Sequence, residues 1–194
     1  MHPITLVAEY PERMSRLTAF FRGILVIPHL IWLTIWTILA MLLGFVSWIM
    51  VTITGRQPEG IANMLDGYLR YSTHVSAYAY LMSGPFPAFT GSAAYPTTVE
   101  IIHPDRQGRL AAFFRLLLVI PAAILSSLIS YATQLCAFIQ WIVIVITAKP
   151  IRGLWDFQIL GLRYATRVNA YSFYLTDRYP NFSTEAPPVE AAAS

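Results

Sequence analysis

The chain writes one long pattern twice. From Arg16 it reads RLTAFFRGILVIPHLIW, and from Arg109 it reads RLAAFFRLLLVIPAAIL. At the offset that brings Arg16 onto Arg109 the two halves align without a gap. Pro11 meets Pro104, Arg22 meets Arg115, Pro28 meets Pro121, Trp48 meets Trp141, Arg70-Tyr71 meets Arg163-Tyr164, and Phe89 meets Phe182. Two apolar stretches alike by chance would not hold so many arginines, prolines and tryptophans in one register, so the chain is an internal duplication. Residues 1–92 form the first repeat, residues 93–183 the second, and 184–194 a tail whose composition, TEAPPVEAAAS, predicts disorder.

Each repeat carries an apolar run with one charge in it: Arg22 between Leu17 and Thr54, Arg115 between Leu110 and Ala148. Charged residues are 12% of the chain, about half the share in soluble domains, which places it in the membrane class. As one helix, each run of roughly 38 residues would measure about 57 Å, nearly twice the hydrocarbon thickness, so either a helix lies along the interface as far as Pro28 with a single crossing after it, or the run folds into a hairpin of two crossings. Basic residues flank both ends of both runs: Arg13, Arg16 and Arg56 in the first copy, Arg106, Arg109, Lys149 and Arg152 in the second. An odd number of crossings would invert the second copy, yet its basic residues repeat the first's. The expectation is therefore an all-α membrane protein in which each copy is a transmembrane helical hairpin plus an amphipathic helix, with both basic flanks on the cytoplasmic side. The arrangement expected is parallel, with four apolar helices, two amphipathic ones and a turn in the second run at Ser126 to Gln134. The short alternating segments Ile4 to Glu9 and Thr97 to Ile102 read as extended strands before each hairpin, open to pairing across a pseudo-two-fold axis. The N-terminus lacks a basic start followed by an apolar core, so it is expected on the cytoplasmic side.

The amphipathic stretches begin at Gly60 and Gly153. Asn63, Asp66, Arg70, Thr73 and His74 share one helical face in the first copy, and Asp156, Arg163, Thr166 and Arg167 in the second. Tyr, Val and Leu fill the opposite faces. This pattern suits a helix at the membrane interface or packed on the hairpin, with Arg70 and Arg163 as ion-pair hubs to Asp66 and Asp156. Arg22 and Arg115 read as snorkelling to headgroup phosphates, or in the sharper reading as pairing with a buried carboxylate or with carbonyls freed by the prolines. Arg22, Arg115, Asp66, Arg70, Asp156, Arg163 and Arg167 are thus the candidate structural or headgroup-binding residues.

These motifs, from YPERMSRL through TGRQPEGIANMLDGYLRYSTHVSAYAYLM to LRYATRVNAYSFYLTDRYPNFS, resemble a bacterial membrane domain catalogued as a domain of unknown function, family 4389, often found in tandem copies. The resemblance covers nearly the whole chain before Thr184. His74 stands where the second copy has Arg167, and SGPFPAF stands where it has TDRYPNF. The resemblance implies an integral protein of the bacterial cell (inner) membrane and brings no catalytic residues. A lipase label that some members carry finds no support, because no G-x-S-x-G elbow occurs.

No Walker loop, H-E-x-x-H pair or C-x-x-C is present, and the four histidines lack metal-ligand spacing. No catalytic site, metal or cofactor is expected, nor nucleic acid as a partner. The functional expectation is a non-catalytic accessory or structural subunit, with membrane lipids and other membrane subunits as partners. The alternative is a lipid-binding or lipid-organising protein, with a transporter or channel a distant third, because intramembrane polar groups are few.

Overall fold

The structure, a computed structural model, describes residues 2–91 and 94–183, so the tail expected to be disordered lies outside the described residues. In chain order the elements are β1 (Ile4–Ala8), α1 (Arg16–Leu25), α2 (Ile27–Thr54), α3 (Glu59–Ala79), β2 (Thr97–Ile101), α4 (Arg109–Thr147) and α5 (Arg152–Ser172). Both copies therefore run strand, long apolar helix, second helix.

Neither apolar run makes a hairpin. α4 is one helix of 39 residues, about 58 Å long, and passes through Pro121 without a break. In the first copy the same path is interrupted only at Val26, where α1 gives way to α2 and Pro28 occupies the first turn. The segment Ser126 to Gln134, expected to turn, is helical throughout. It contains no glycine, proline or asparagine to reverse the chain, and the Ser127 hydroxyl donates to the Ala123 carbonyl one turn back (2.9 Å), so its polarity is met inside the helix. Among the described residues two helices are thus long and apolar enough to cross a membrane, where four were expected.

Sharp reversals end both long helices. Gly55 and Ala148 cap them in the left-handed conformation, φ 73° and 60°, each donating its N–H to the carbonyl four residues back. Thr54 and Thr147 bridge the reversals identically: each hydroxyl bonds a carbonyl in the last turn and accepts from the backbone N–H of Arg56 or Lys149.

The expected strands form and pair with each other. β1 and β2 are antiparallel, with Leu6 opposite Val99, and these two are equivalent positions of the duplication. Beneath them the equivalent hydroxyls of Thr73 and Thr166 approach to 3.4 Å. A pseudo-two-fold axis therefore runs through the strand pair and between α3 and α5.

The same axis exchanges the ends of the long helices. Gln107 N–H donates to Gly55 O (2.9 Å), and at the equivalent place Met14 N–H donates to Ala148 O (3.0 Å). Trp48 stacks on Phe113, while Trp141 stacks on Phe20 and donates to the Ala19 carbonyl (3.0 Å). The end of each long helix meets the start of the other, so they run head to tail and the axis is perpendicular to them.

α3 and α5 lie between the long helices and the strand ribbon. Ile4, Leu6 and Val99 from the strands, Leu65 and Leu69 from α3, and Trp155, Ile159 and Leu162 from α5 form one core. Outside it, α2 and α4 each bury a single stripe: His29, Ala40, Ser47 and Val51 on α2, and Ala112, Arg115, Ala122, Thr133, Ala137, Gln140 and Ile144 on α4. The remaining surface is apolar and exposed, with Ile35, Ile38, Met41 and Leu42 on α2 and Leu128, Leu135 and Phe138 on α4.

Candidate functional site

The polar chemistry concentrates where the second helix of each copy returns to the first. Tyr80 caps the end of α3 and Phe173 that of α5, and the residues that follow, Leu81 and Tyr174, are left-handed (φ 61° and 63°). Carbonyls at such a helix end have no partner within the helix. Arg22 supplies one in the first copy, donating to the carbonyls of Tyr78 (3.0 Å), Ser83 (2.9 Å) and Gly84 (3.1 Å). Arg115 does the same in the second, reaching Thr176 O at 2.9 Å and Tyr171 O at 3.4 Å. Each guanidinium also lies over the equivalent tyrosine ring, Tyr78 at 4.3 Å and Tyr171 at 4.5 Å. Snorkelling is therefore corrected: both side chains are buried, and the carbonyls they meet are those of a helix end, not those freed by the prolines.

Arg167 is the other buried hub. Its Nε donates to Ile4 O (3.2 Å), and its Nη1 reaches Asn181 O and Oδ1 and Ser183 O, each at 2.9 Å. It pins α5 to the first strand and to the segment that follows α5. His74 holds the equivalent position on α3. It is buried with its ring 4.7 Å from Tyr95, and desolvation together with nearby Arg70 lowers its pKa to about 4.

The ion-pair hubs expected at Arg70 and Arg163 do not form. Asp66 turns to His103 beyond β2 (2.9 Å), and Asp156 pairs with Arg152 in the exposed first turn of α5 (3.3 Å). Arg163 is half-buried in a cleft of about 410 Å³ with Tyr10, Arg152 and Trp155, and desolvation lowers its pKa. One turn along the same stripe, it is Arg167 that faces the strand; the helical spacing alone does not distinguish the two. The interfacial reading of α3 and α5 yields to the packing one, since Thr73, His74, Thr166 and Arg167 are all buried.

Four glutamines also hold helix ends, and of these the sequence pattern singles out only Gln140, as a polar group inside an apolar run. Gln57 donates to the Phe173 carbonyl (3.0 Å) and Gln158 to the equivalent Tyr80 carbonyl (2.9 Å), so each copy's helix end is held by the other copy. Gln107 donates to Tyr174 O (2.6 Å), and Gln140 accepts from Ile151 N–H (2.9 Å). Among the described residues no group of His, Cys, Asp and Glu gathers that could hold a metal ion.

The geometry defines a duplicated helical unit whose buried cations and amides hold helix ends together. A family model, Domain of unknown function (DUF4389), matches residues 16–90 and again 109–184, and the chain belongs to that family. No curated protein and no solved structure matches it.

Proposed function

We propose that the chain is a non-catalytic membrane protein that lies within one leaflet and serves as an accessory or structural subunit for a larger membrane assembly. The observation that carries this reading is the outer surface of the long helices. Only 11% of the most apolar stretch of α2 and 17% of that of α4 is buried, so neither is the core helix of a soluble domain. Soluble monomers rarely expose contiguous apolar patches beyond a few hundred Å². The interior polar groups argue against a transport path, because Arg22, Arg115 and Arg167 are committed to carbonyls.

The symmetry supports the in-plane placement. If the head-to-tail helices stood across the bilayer, the two-fold axis would lie at mid-depth and carry the strand pair with it. Each strand has one neighbour, and Glu100 is exposed on the ribbon. Strand-edge groups beyond Ile4, whose carbonyl Arg167 meets, and an exposed carboxylate would lack hydrogen-bond partners at that depth. Laid along the membrane, the same fold keeps the ribbon toward water and gives both copies the same relation to the surface. The repeated basic residues then need no crossing at all.

Glu12 and Asp105 are equivalent and exposed, one at each end of the fold, and serve as reporters. With Cys136 replaced by Ser, Glu12→Cys and Asp105→Cys should both react with an impermeant reagent from the same side of the vesicle. Labelling from opposite sides would establish a crossing. Co-purification in mild detergent tests the subunit role: a stoichiometric protein partner supports it, and stoichiometric lipid alone favours the lipid-organising reading.

A further inference from the structure

The two junctions where long helices meet end to end carry a second duplicated feature. At one, Arg56 from the first copy stands with Arg106 and Arg109 from the second, around a cleft of about 470 Å³ that Thr54, Gly55 and Gln107 also line. The equivalent residues at the other junction are Lys149, Arg13 and Arg16, with Thr147, Ala148 and Met14. All six cations are exposed, and none makes an ion pair or a side-chain hydrogen bond among the described residues. Asp105 and Glu59 lie beside the first trio and Glu12 beside the second, so the local charge stays positive at both.

We propose that each trio is a site for the phosphate group of an anionic phospholipid. The proposal rests on the chain lying in a membrane. Three features support it. The backbone at each junction is fixed, by the left-handed caps, the threonine bridges and the bond between copies, so the cations are presented from a rigid frame. Each cluster is assembled only when the two copies come together, so a trio marks the folded unit and not one segment. Beside the cations the helix surfaces turn apolar at once, with Leu110 and Ile53 at one junction and Leu17 and Ile146 at the other, all more than 60% exposed. A phosphate with an acyl chain fits that boundary, and free phosphate would leave the apolar wall unused. The two sites also differ where their helices start. Ser15 caps α1 by accepting from the Thr18 N–H, whereas α4 starts at Gly108 with no side-chain cap. The first-turn amides of α4 are therefore freer to meet an anion.

The test uses the full chain reconstituted in phosphatidylcholine nanodiscs with and without phosphatidylglycerol, and native mass spectrometry to count retained lipids. The expected result is two phosphatidylglycerols retained per chain. One should remain in the variant R56Q/R106Q/R109Q and one in R13Q/R16Q/K149Q. Each cation near a membrane surface contributes about a fivefold affinity gain, so a triple substitution should weaken its site about 100-fold. The single variant Arg109→Gln, with about a fivefold loss, serves if a triple variant does not fold. Unchanged phosphatidylglycerol retention in the variants would overturn the proposal, as would displacement of the lipid by millimolar inorganic phosphate. A chain that enters neutral discs but shows no preference for phosphatidylglycerol overturns this inference alone; one that enters neither kind overturns the membrane placement too.

Discussion

The two helix pairs, α2 with α3 and α4 with α5, descend from one pattern and close by different means. Between α4 and α5 the backbones come close because α5 has Gly161 there: a Cβ would lie 2.5 Å from Thr133 Oγ1 and 3.0 Å from Ile129 Cγ2. The equivalent residue on α3 is Tyr68, whose hydroxyl meets Thr37 Oγ1 at 3.1 Å while Trp36 packs edge-on against Tyr71. One pair is joined by proximity and the other by aromatic filling. The asymmetry extends to the axis, where Arg167 gathers the chain around α5 and His74 only stacks on Tyr95. Duplication conserved the devices that end helices, Arg22 with Arg115 and Leu81 with Tyr174, and let the packing between helices diverge.

The sharpest way to break this comparison is to remove its two axial side chains in turn. Arg167→Ala leaves the buried Ile4 carbonyl without this donor, at about 1–3 kcal/mol for a buried group left unpaired, and removes the part-buried bonds to Asn181 and Ser183, whose carbonyls can turn to water. A total loss of about 2–3 kcal/mol is expected. His74→Ala removes ring packing alone and should cost clearly less. Thermal unfolding in detergent ranks them, and equal losses would show that the two copies share the load.

Acid should find the first copy first. His74 titrates at about 4 because it is desolvated and faces Arg70, and His2, ahead of β1, also sits at about 4 through burial and the field of Arg167 and Arg178. Both are depressed below the ordinary value of 6.5, so their neutral forms belong to the fold. The stability they contribute is full above about pH 6.5 and is lost as pH falls toward 4, by about 2 kcal/mol for each at pH 5. His74→Phe should reduce the loss between pH 7 and 5, and an unchanged pH profile would place the acid-sensitive group elsewhere.

Much of this was legible in the residues. The duplication, both strands and their pairing, the apolar runs and the paired arginines all follow from pattern and offset. The hairpin does not: its turn is expected at Ser126 to Gln134, and the chain there runs on as one helix. Equal basic flanks argue for an even number of crossings, and zero satisfies that condition as well as two. The serines near Ser127 resembled a turn because polar residues in an apolar run usually interrupt it, yet a hydroxyl bonded one turn back leaves the helix intact. The choice of Arg167 over Arg163 depends on where β1 lies against α5, a contact between residues far apart in the chain, which helical spacing cannot supply.

A glycine exchange tests the unequal helix pairs directly. Gly161→Ala forces α5 away from Thr133 and Ile129, and overpacking of this kind costs about 1–2 kcal/mol. Gly67 lies next to Tyr68 on α3, and a Cβ there would meet the Trp36 ring at 3.6 Å, an ordinary contact. Gly67→Ala should therefore be neutral or raise stability by up to about 1 kcal/mol through helix propensity. Destabilisation by both would mean that the aromatic pair is packed as closely as the glycine pair.

The smallest expected effect separates the two carboxylates. Asp156 and Arg152 are exposed one turn apart on α5, side chains 56% and 65% accessible, and an exposed pair of this kind is worth about 0–1 kcal/mol. Asp66 is more enclosed, at 17%, and its bond to His103 ties α3 to the segment after β2. That bond raises the His103 pKa above its ordinary 6.5, so its contribution is complete below about pH 6.5 and disappears as pH rises through the folded value, opposite in sign to His74. With the ring more than a third exposed, solvent screening keeps the gain small. Asp66→Asn should therefore lower thermal stability slightly at pH 6 and less at pH 8, while Asp156→Asn should leave it unchanged at both. A loss for Asp66→Asn that is equal at the two pH values would mean that Asp66 acts as a hydrogen-bond acceptor for a neutral His103, with no charge in the pair.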